Sequence, residues 1–326
     1  MTAPKHLLIL ILSGLALSGC LSSNKEQKDS PLPQEQQDNY LSKARPPQQF
    51  GFSIFPVKGG MAYSGSARLH PNHFVSVKMI EDGIPAIKTR GRSKQNRMNV
   101  LVDISSPISW MEFSTSQKFG THFMGINDEV IPYRGSYNTG GVNAYAGVLT
   151  QLRIENLFME NVPFYIRMSI GSLGPLARGI REPEIDAIIG YDNLRDFEYI
   201  QFDLQNNKIN FSSTTPYKPH QGLSVHTAKI IKSRSYGLVV DGQIGDQPGP
   251  VVLDLAGNFD FSRGDVKVST TKLVQVGDLS FTNAPTLVLP VHDSPPRVGR
   301  KLLAPYLVTI CNKEGVVYFE RFPEKD

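Results

Sequence analysis

Asn99-Val100-Leu101-Val102-Asp103-Ile104-Ser105-Ser106-Pro107-Ile108-Ser109-Trp110 is the stretch that decides the fold. An apolar run ends on a carboxylate, passes through small polar residues and closes on the only Trp of the chain. Such a run reads as a strand buried on both faces. A looser copy lies near the other end: Pro250-Val251-Val252-Leu253-Asp254-Leu255-Ala256-Gly257-Asn258-Phe259. Two strands each deliver one Asp, and the function turns on whether Asp103 and Asp254 meet.

Downstream of each Asp the chain repeats itself. Ile189-Gly190-Tyr191-Asp192-Asn193-Leu194 answers to Val298-Gly299-Arg300-Lys301-Leu302-Leu303. Each Gly is followed by a Leu four residues on and by an aromatic seven on, Phe197 and Tyr306. Each copy then enters a hairpin, turning at Asn206-Asn207 and at Lys313-Glu314-Gly315. From Asp to Gly the first copy takes 87 residues and the second 45. The second copy therefore lacks or shortens the middle of the first. Two copies of one plan predict two lobes related by a pseudo-twofold.

Length and composition fit this. A chain of 326 residues can hold two domains and a sizeable core. Its 28 Gly and 23 Pro, with few helix-period patterns, predict many short strands and turns. The net charge of +4 is mild. The densest basic run, Lys88 to Arg97, lies between two strand-like segments without interleaved aromatics, so it reads as a hairpin loop and not as a nucleic-acid patch. Cys311 sits in an apolar strand pattern and reads as a buried thiol. His70, His73, His122, His220, His226 and His292 show no ligand spacing. There is no phosphate loop, dinucleotide fingerprint or Gly-x-Ser-x-Gly elbow. No metal and no cofactor is expected.

The N-terminus carries an address. Lys5 and His6 precede an apolar run, Leu7 to Leu17, that is too short to span a membrane. Residues 1–19 read as a secretory signal. Leu17-Ser18-Gly19-Cys20 resembles the lipobox of bacterial lipoproteins. The resemblance implies cleavage before Cys20 and lipidation of its thiol. Leu21, where the inner-membrane retention signal has Asp, points to the cell outer membrane. Residues 20–47, rich in Ser, Gln, Lys, Asp and Pro, read as a disordered tether. Then come a first lobe over 48–213, a linker over 214–219 and a second lobe over 220–326.

Two carboxylates at close approach cannot both ionise, so one keeps a proton. The ionised member can take a proton from water and the protonated one can donate to a carbonyl oxygen. At this point the chain, from about residue 50 to 322, resembles the pepsin-like and retropepsin-like aspartic peptidases. In that family each lobe carries Asp-Thr-Gly followed by Ser or Thr, and the first lobe adds a Trp seven residues after its Asp. Asp103, Ser106 and Trp110 match that spacing. The later pair of hydrophobics and Gly is matched by Ile188-Ile189-Gly190 and more loosely by Val298-Gly299. The resemblance implies an all-β, two-lobed double β-barrel with few short helices, and Asp103 and Asp254 as the catalytic pair. It also implies a flap, for which the hairpin Tyr133 to Tyr145 is the candidate. Tyr137 is the best match for the flap Tyr, with Tyr133 and Tyr145 near by. Tyr137, Ser105 and Ala256 are the expected substrate contacts.

Departures from the pattern leave the activity open. The family's Thr is Ile104 in one motif and Leu255 in the other, and its Gly is Ser105 and Ala256. The two Thr hydroxyls of the family exchange hydrogen bonds beneath the Asp pair, so Ile and Leu imply an apolar interface there. Removing both polar partners together is close to neutral for stability. Two main readings stand: an aspartic endopeptidase acting on extended peptides, and an inactive peptide- or protein-binding lipoprotein on the same fold. A scaffold without either activity is a third. The expected partners are a peptide or unfolded protein segment in the cleft and a membrane through the lipid anchor, with no nucleic acid. A monomer is expected.

Overall fold

The computed structural model describes residues 30–57, 60–71, 74–93, 95–126, 129–135, 141–170, 173–177, 180, 182–233, 235–264, 268–289 and 295–321. The signal over 1–19, Cys20 and Tyr137 lie outside them. The described chain is mainly β, with short helices at Gln34–Leu41, Phe113–Phe119, Tyr191–Leu194 and Arg300–Leu303. Its strands follow their side chains. In Val75–Glu81, Val77 and Met79 are buried while Ser76 and Lys78 face solvent, the period-two pattern of a one-sided strand. In Arg97–Val102, Val100, Leu101 and Val102 are all fully buried, so this strand is covered on both faces.

One arrangement occurs twice. Ala187–Ile189 runs parallel to the Asp103 strand, with Ile189 opposite Val102, and antiparallel to Trp110–Glu112. Arg297–Gly299 runs parallel to Gln247–Asp254, with Gly299 opposite Asp254, and antiparallel to Phe261–Arg263. Phe261 falls seven residues after Asp254, as Trp110 does after Asp103. Each of these pieces also lies parallel to a long hairpin strand: Trp110 opposite Tyr165, and Phe261 opposite Thr286. Among the described residues the longer interval of the first copy holds the helix Phe113–Phe119, the short strands His122–Phe123, Gly125–Ile126 and Glu129–Val130, and the eleven-residue hairpin arms Ala144–Ile154 and Leu157–Arg167.

Six antiparallel strands tie the halves together. Their order is Val75–Glu81, Lys208–Ser212, Tyr199–Asp203, Tyr306–Cys311, Val316–Arg321 and Ser224–Ile231. The central seam pairs Tyr199 with Cys311 and Ile200 with Ile310. Asn312 reinforces it, donating to the carbonyls of Leu194 at 3.2 Å and Phe197 at 3.1 Å while Tyr191 donates to its side-chain oxygen at 3.0 Å. The first hairpin turns as expected at Asn206-Asn207, where Asn207 takes a left-handed φ of 56°.

The expected disordered tether over 20–47 needs correction over 30–47; residues 20–29 lie outside the described residues. From Ser30 the chain is built onto the body. Ser30–Pro31 pairs with Ser169–Ile170, the Leu32 amide donates to Met168 O at 3.0 Å, and Gln37 donates to Leu32 O at 2.7 Å. The Tyr40 ring meets Phe113 edge-on at 4.8 Å. Leu32, Tyr40, Leu41 and Ala44 are few, but they dock on a core that is already formed. An average over the polar segment hides that anchorage.

Candidate functional site

Asp103 and Asp254 end their strands in the same turn. The amide three residues on donates to each carboxylate: Ser106 to Asp103 Oδ1 at 3.2 Å, and Gly257 to Asp254 Oδ1 at 2.8 Å. The same amides donate to the carbonyls of Asp103 and Asp254, both at 3.2 Å. The residue after each later Gly closes the loop. Tyr191 N donates to Ser106 O at 2.8 Å, and Arg300 N to Gly257 O at 3.0 Å. Gly190 and Gly299 have extended backbones, and neither position has room for a Cβ. One would run into the carbonyl of Ile108, the other into that of Phe259.

Leu238 links the two turns. Its amide donates to Ile104 O at 2.6 Å, and its carbonyl accepts from Leu253 N at 3.1 Å. Gly237 N donates to Ser105 O at 3.2 Å, and only a Gly fits so close to the Ile104 carbonyl. Ile104, Leu238, Leu253 and Leu255 are buried in one apolar cluster. Ala256 packs with Trp110, Leu101 and Ile188, so the second turn rests on the first half.

Neither carboxylate is open to solvent: Asp103 is 2% and Asp254 0% exposed. Asp103 Oδ1 also accepts from the Ser105 amide at 2.9 Å and the Ser105 hydroxyl at 2.8 Å. Ser105 was expected at the substrate; it is fully buried and its hydroxyl is turned onto Asp103. Ala256, expected there too, is 3% exposed and covered by the cluster around Trp110.

Sequence reasoning missed Arg297. Its Nη1 lies 3.4 Å from Asp254 Oδ2, with the Arg side chain 14% exposed. The signal was the loose match at Val298-Gly299, where the first of the two hydrophobics is replaced by Arg297. Arg300 stands near by. Burial lowers its pKa, the charge of Asp254 opposes that shift, and its guanidinium donates to Gly83 O.

Around Trp110 lies an aromatic and polar cluster. Tyr133 meets the indole edge-on at 4.7 Å and Tyr165 lies at 5.9 Å. Tyr133 stands on a hairpin arm whose amide donates to Ala144 O at 2.8 Å. Tyr137, the expected flap Tyr, lies outside the described residues; among the described residues of the candidate hairpin it is Tyr133 that packs against Trp110. Beneath it, Asp192 accepts from the Ser109 hydroxyl at 2.7 Å, the Ser109 amide at 3.2 Å and the Asn193 amide at 2.9 Å. Ser109 Oγ in turn accepts from Gly190 N and Asn193 Nδ2. Desolvation pushes the Asp192 carboxyl up to about 6 despite these donors. Burial pushes the Tyr165 hydroxyl up to about 12, helped by Tyr133 and Asp192.

Among the described residues no group of three or more His, Cys, Asp and Glu is placed to hold a metal, and no helix is long and apolar enough to cross a membrane. Neither a protein-family model nor a curated protein matches the chain.

Proposed function

We propose that the chain is an outer-membrane lipoprotein built on a two-lobed, aspartic-peptidase-like scaffold that binds an extended peptide between its lobes without cutting it. The scaffold reading is supported by the twin Asp turns, the twin close-packed glycines and the six-stranded sheet that joins the halves. The anchor reading rests on Leu17-Ser18-Gly19-Cys20, with Cys20 as the lipidated residue. A peptide would add as a strand under the hairpin that carries Tyr133.

One observation favours binding over hydrolysis: the Arg297–Asp254 ion pair at a carboxylate with no exposure. Acid–base hydrolysis of an amide needs two carboxyl groups that share one proton and face a water. A guanidinium on Asp254 supplies the neutralising charge that the proton supplies in such a pair. The Ser105 and Ala256 side chains further fill the turns where the family has Gly.

The test is digestion of unfolded casein at pH 3 to 5 by the full chain in detergent, with and without pepstatin. No cleavage above the level of Asp103→Asn and Asp254→Asn is expected. Cleavage that pepstatin blocks and both variants lose would overturn the reading in favour of an aspartic endopeptidase. That second reading is favoured by the residue-for-residue match of the two Asp turns.

A further inference from the structure

Arg297 and Ile188 hold equivalent places. Ile188 is paired in parallel with Leu101, two residues before Asp103, and Arg297 with Val252, two before Asp254. Ile188 is buried among Leu101, Trp110 and Ala256. The second copy puts a guanidinium where the first puts an apolar side chain. A surface position would explain an Arg without further argument, but this one is 14% exposed and lies against a fully buried carboxylate.

The contact with Asp254 uses little of what the group offers. Among the described residues, Asp254 is the only side-chain partner of Arg297, reached through one N–H at 3.4 Å. Charge-assisted N–H···O bonds are commonly about 2.7–2.9 Å, and a guanidinium presents a planar fork of five N–H donors. Four donors are thus left for something else, in the geometry that matches a second carboxylate. Arg297 can keep Asp254 while the rest of its fork takes a ligand, and Asp254 has further support. Its Oδ1 keeps the Gly257 amide, and Arg300 stays close enough to feel its charge.

We propose that Arg297 is the specificity-determining residue of this site and that it takes a carboxylate of the bound peptide. The inference rests on the peptide-binding reading above. The ligand class is an extended peptide with an Asp or Glu at the position beside Asp254, or with its own C-terminal carboxylate there.

The experiment retains a synthetic pool of random twelve-residue peptides on the immobilised full chain and identifies them by mass spectrometry. One pool is amidated at its C-terminus and one is left as the free acid. Enrichment of Asp or Glu at one position in both pools is expected. Enrichment confined to free-acid peptides supports the proposal with the C-terminus as the source. For an acidic peptide so retained, the Glu→Gln or amidated analogue should bind the wild-type chain roughly ten- to a hundredfold more weakly. Arg297→Gln should keep peptides but lose the preference. Arg297→Lys, which leaves a charge beside Asp254 but no fork, guards against a folding defect and should lose most of it. Retention without acidic preference, or a preference that survives in both variants, overturns the proposal while peptide binding stands. Retention of no peptide by any form overturns the peptide-binding reading and the proposal with it.

Discussion

Gly190 and Gly299 are the same residue in two copies of one turn. Each stands opposite the end of an Asp strand, caps a four-residue helix and lies against the carbonyl five residues after its Asp, Ile108 or Phe259. Neither φ is left-handed, so conformational freedom does not explain the Gly. Close approach does: backbone carbonyls cannot give way as the end of a flexible side chain can.

Gly190→Ala and Gly299→Ala should therefore each destabilise the protein by about 1–3 kcal/mol, the cost of forcing a methyl into packed backbone. Gly249→Ala is the control, since nothing lies within 4 Å of its would-be Cβ. Urea denaturation of the three variants measures this. Equal midpoints for all three would mean that the turns relax freely and that the repeat is not rigid.

The turns were legible in the sequence because they are local. An apolar run before Asp, and Gly followed by Leu and an aromatic at fixed offsets, survive in both copies whatever surrounds them. Phe261 is legible as well, an aromatic at the same offset from Asp254 as Trp110 from Asp103. Three features were not. Arg297 stands between Pro296 and Val298, and nothing local separates an Arg aimed at a buried carboxylate from one aimed at water. That Tyr133 reaches Trp110 depends on the pairing near Pro132 and Tyr145, which no local pattern specifies. Residues 30–47 are polar on average, and their order comes from Leu32 and Tyr40 meeting partners far along the chain.

The contact of Tyr133 with Trp110 gives the hairpin an optical reporter. Trp110 is the only Trp and is fully buried, so its emission reads this place alone. Tyr133→Ala should shift the emission to the red and cost about 2–4 kcal/mol, from lost burial plus the edge-on ring contact. A peptide bound under the hairpin should change the wild-type emission, and the variant should lose most of that change. An emission spectrum unmoved by Tyr133→Ala would separate the hairpin from the Trp.

Asp192 should make stability depend on pH in a direction opposite to that of most carboxylates. Its folded pKa is raised to about 6 from 3.8 by desolvation. The folded state thus holds a proton that the unfolded chain releases between about pH 4 and 6. The stability this group contributes is fully present below that window and falls as pH rises through it. Comparing wild type with Asp192→Asn removes the background of the other carboxylates. The wild-type advantage should shrink by about 1–3 kcal/mol between pH 4 and 7. A difference that stays flat across this range would show that Asp192 does not titrate there.

Whether Arg297 stabilises the fold through Asp254 is open to a double-mutant cycle. Removing one member of a buried pair leaves the other charge poorly compensated, which costs about 3–5 kcal/mol when burial is complete. Arg297 keeps some exposure, and Asp254 retains Gly257 and Arg300 as neighbours, so the smaller figure of about 1–3 kcal/mol is expected for Arg297→Leu. In an Asp254→Asn background the same change leaves no charge behind and should cost less than about 1 kcal/mol. Urea midpoints of the four forms give the coupling. Equal costs in both backgrounds would mean that the 3.4 Å contact carries no energy. The endopeptidase reading would then gain over the binding one. A coupling of the expected size keeps one N–H of Arg297 on Asp254, which favours the reading in which the site holds a peptide and leaves it intact.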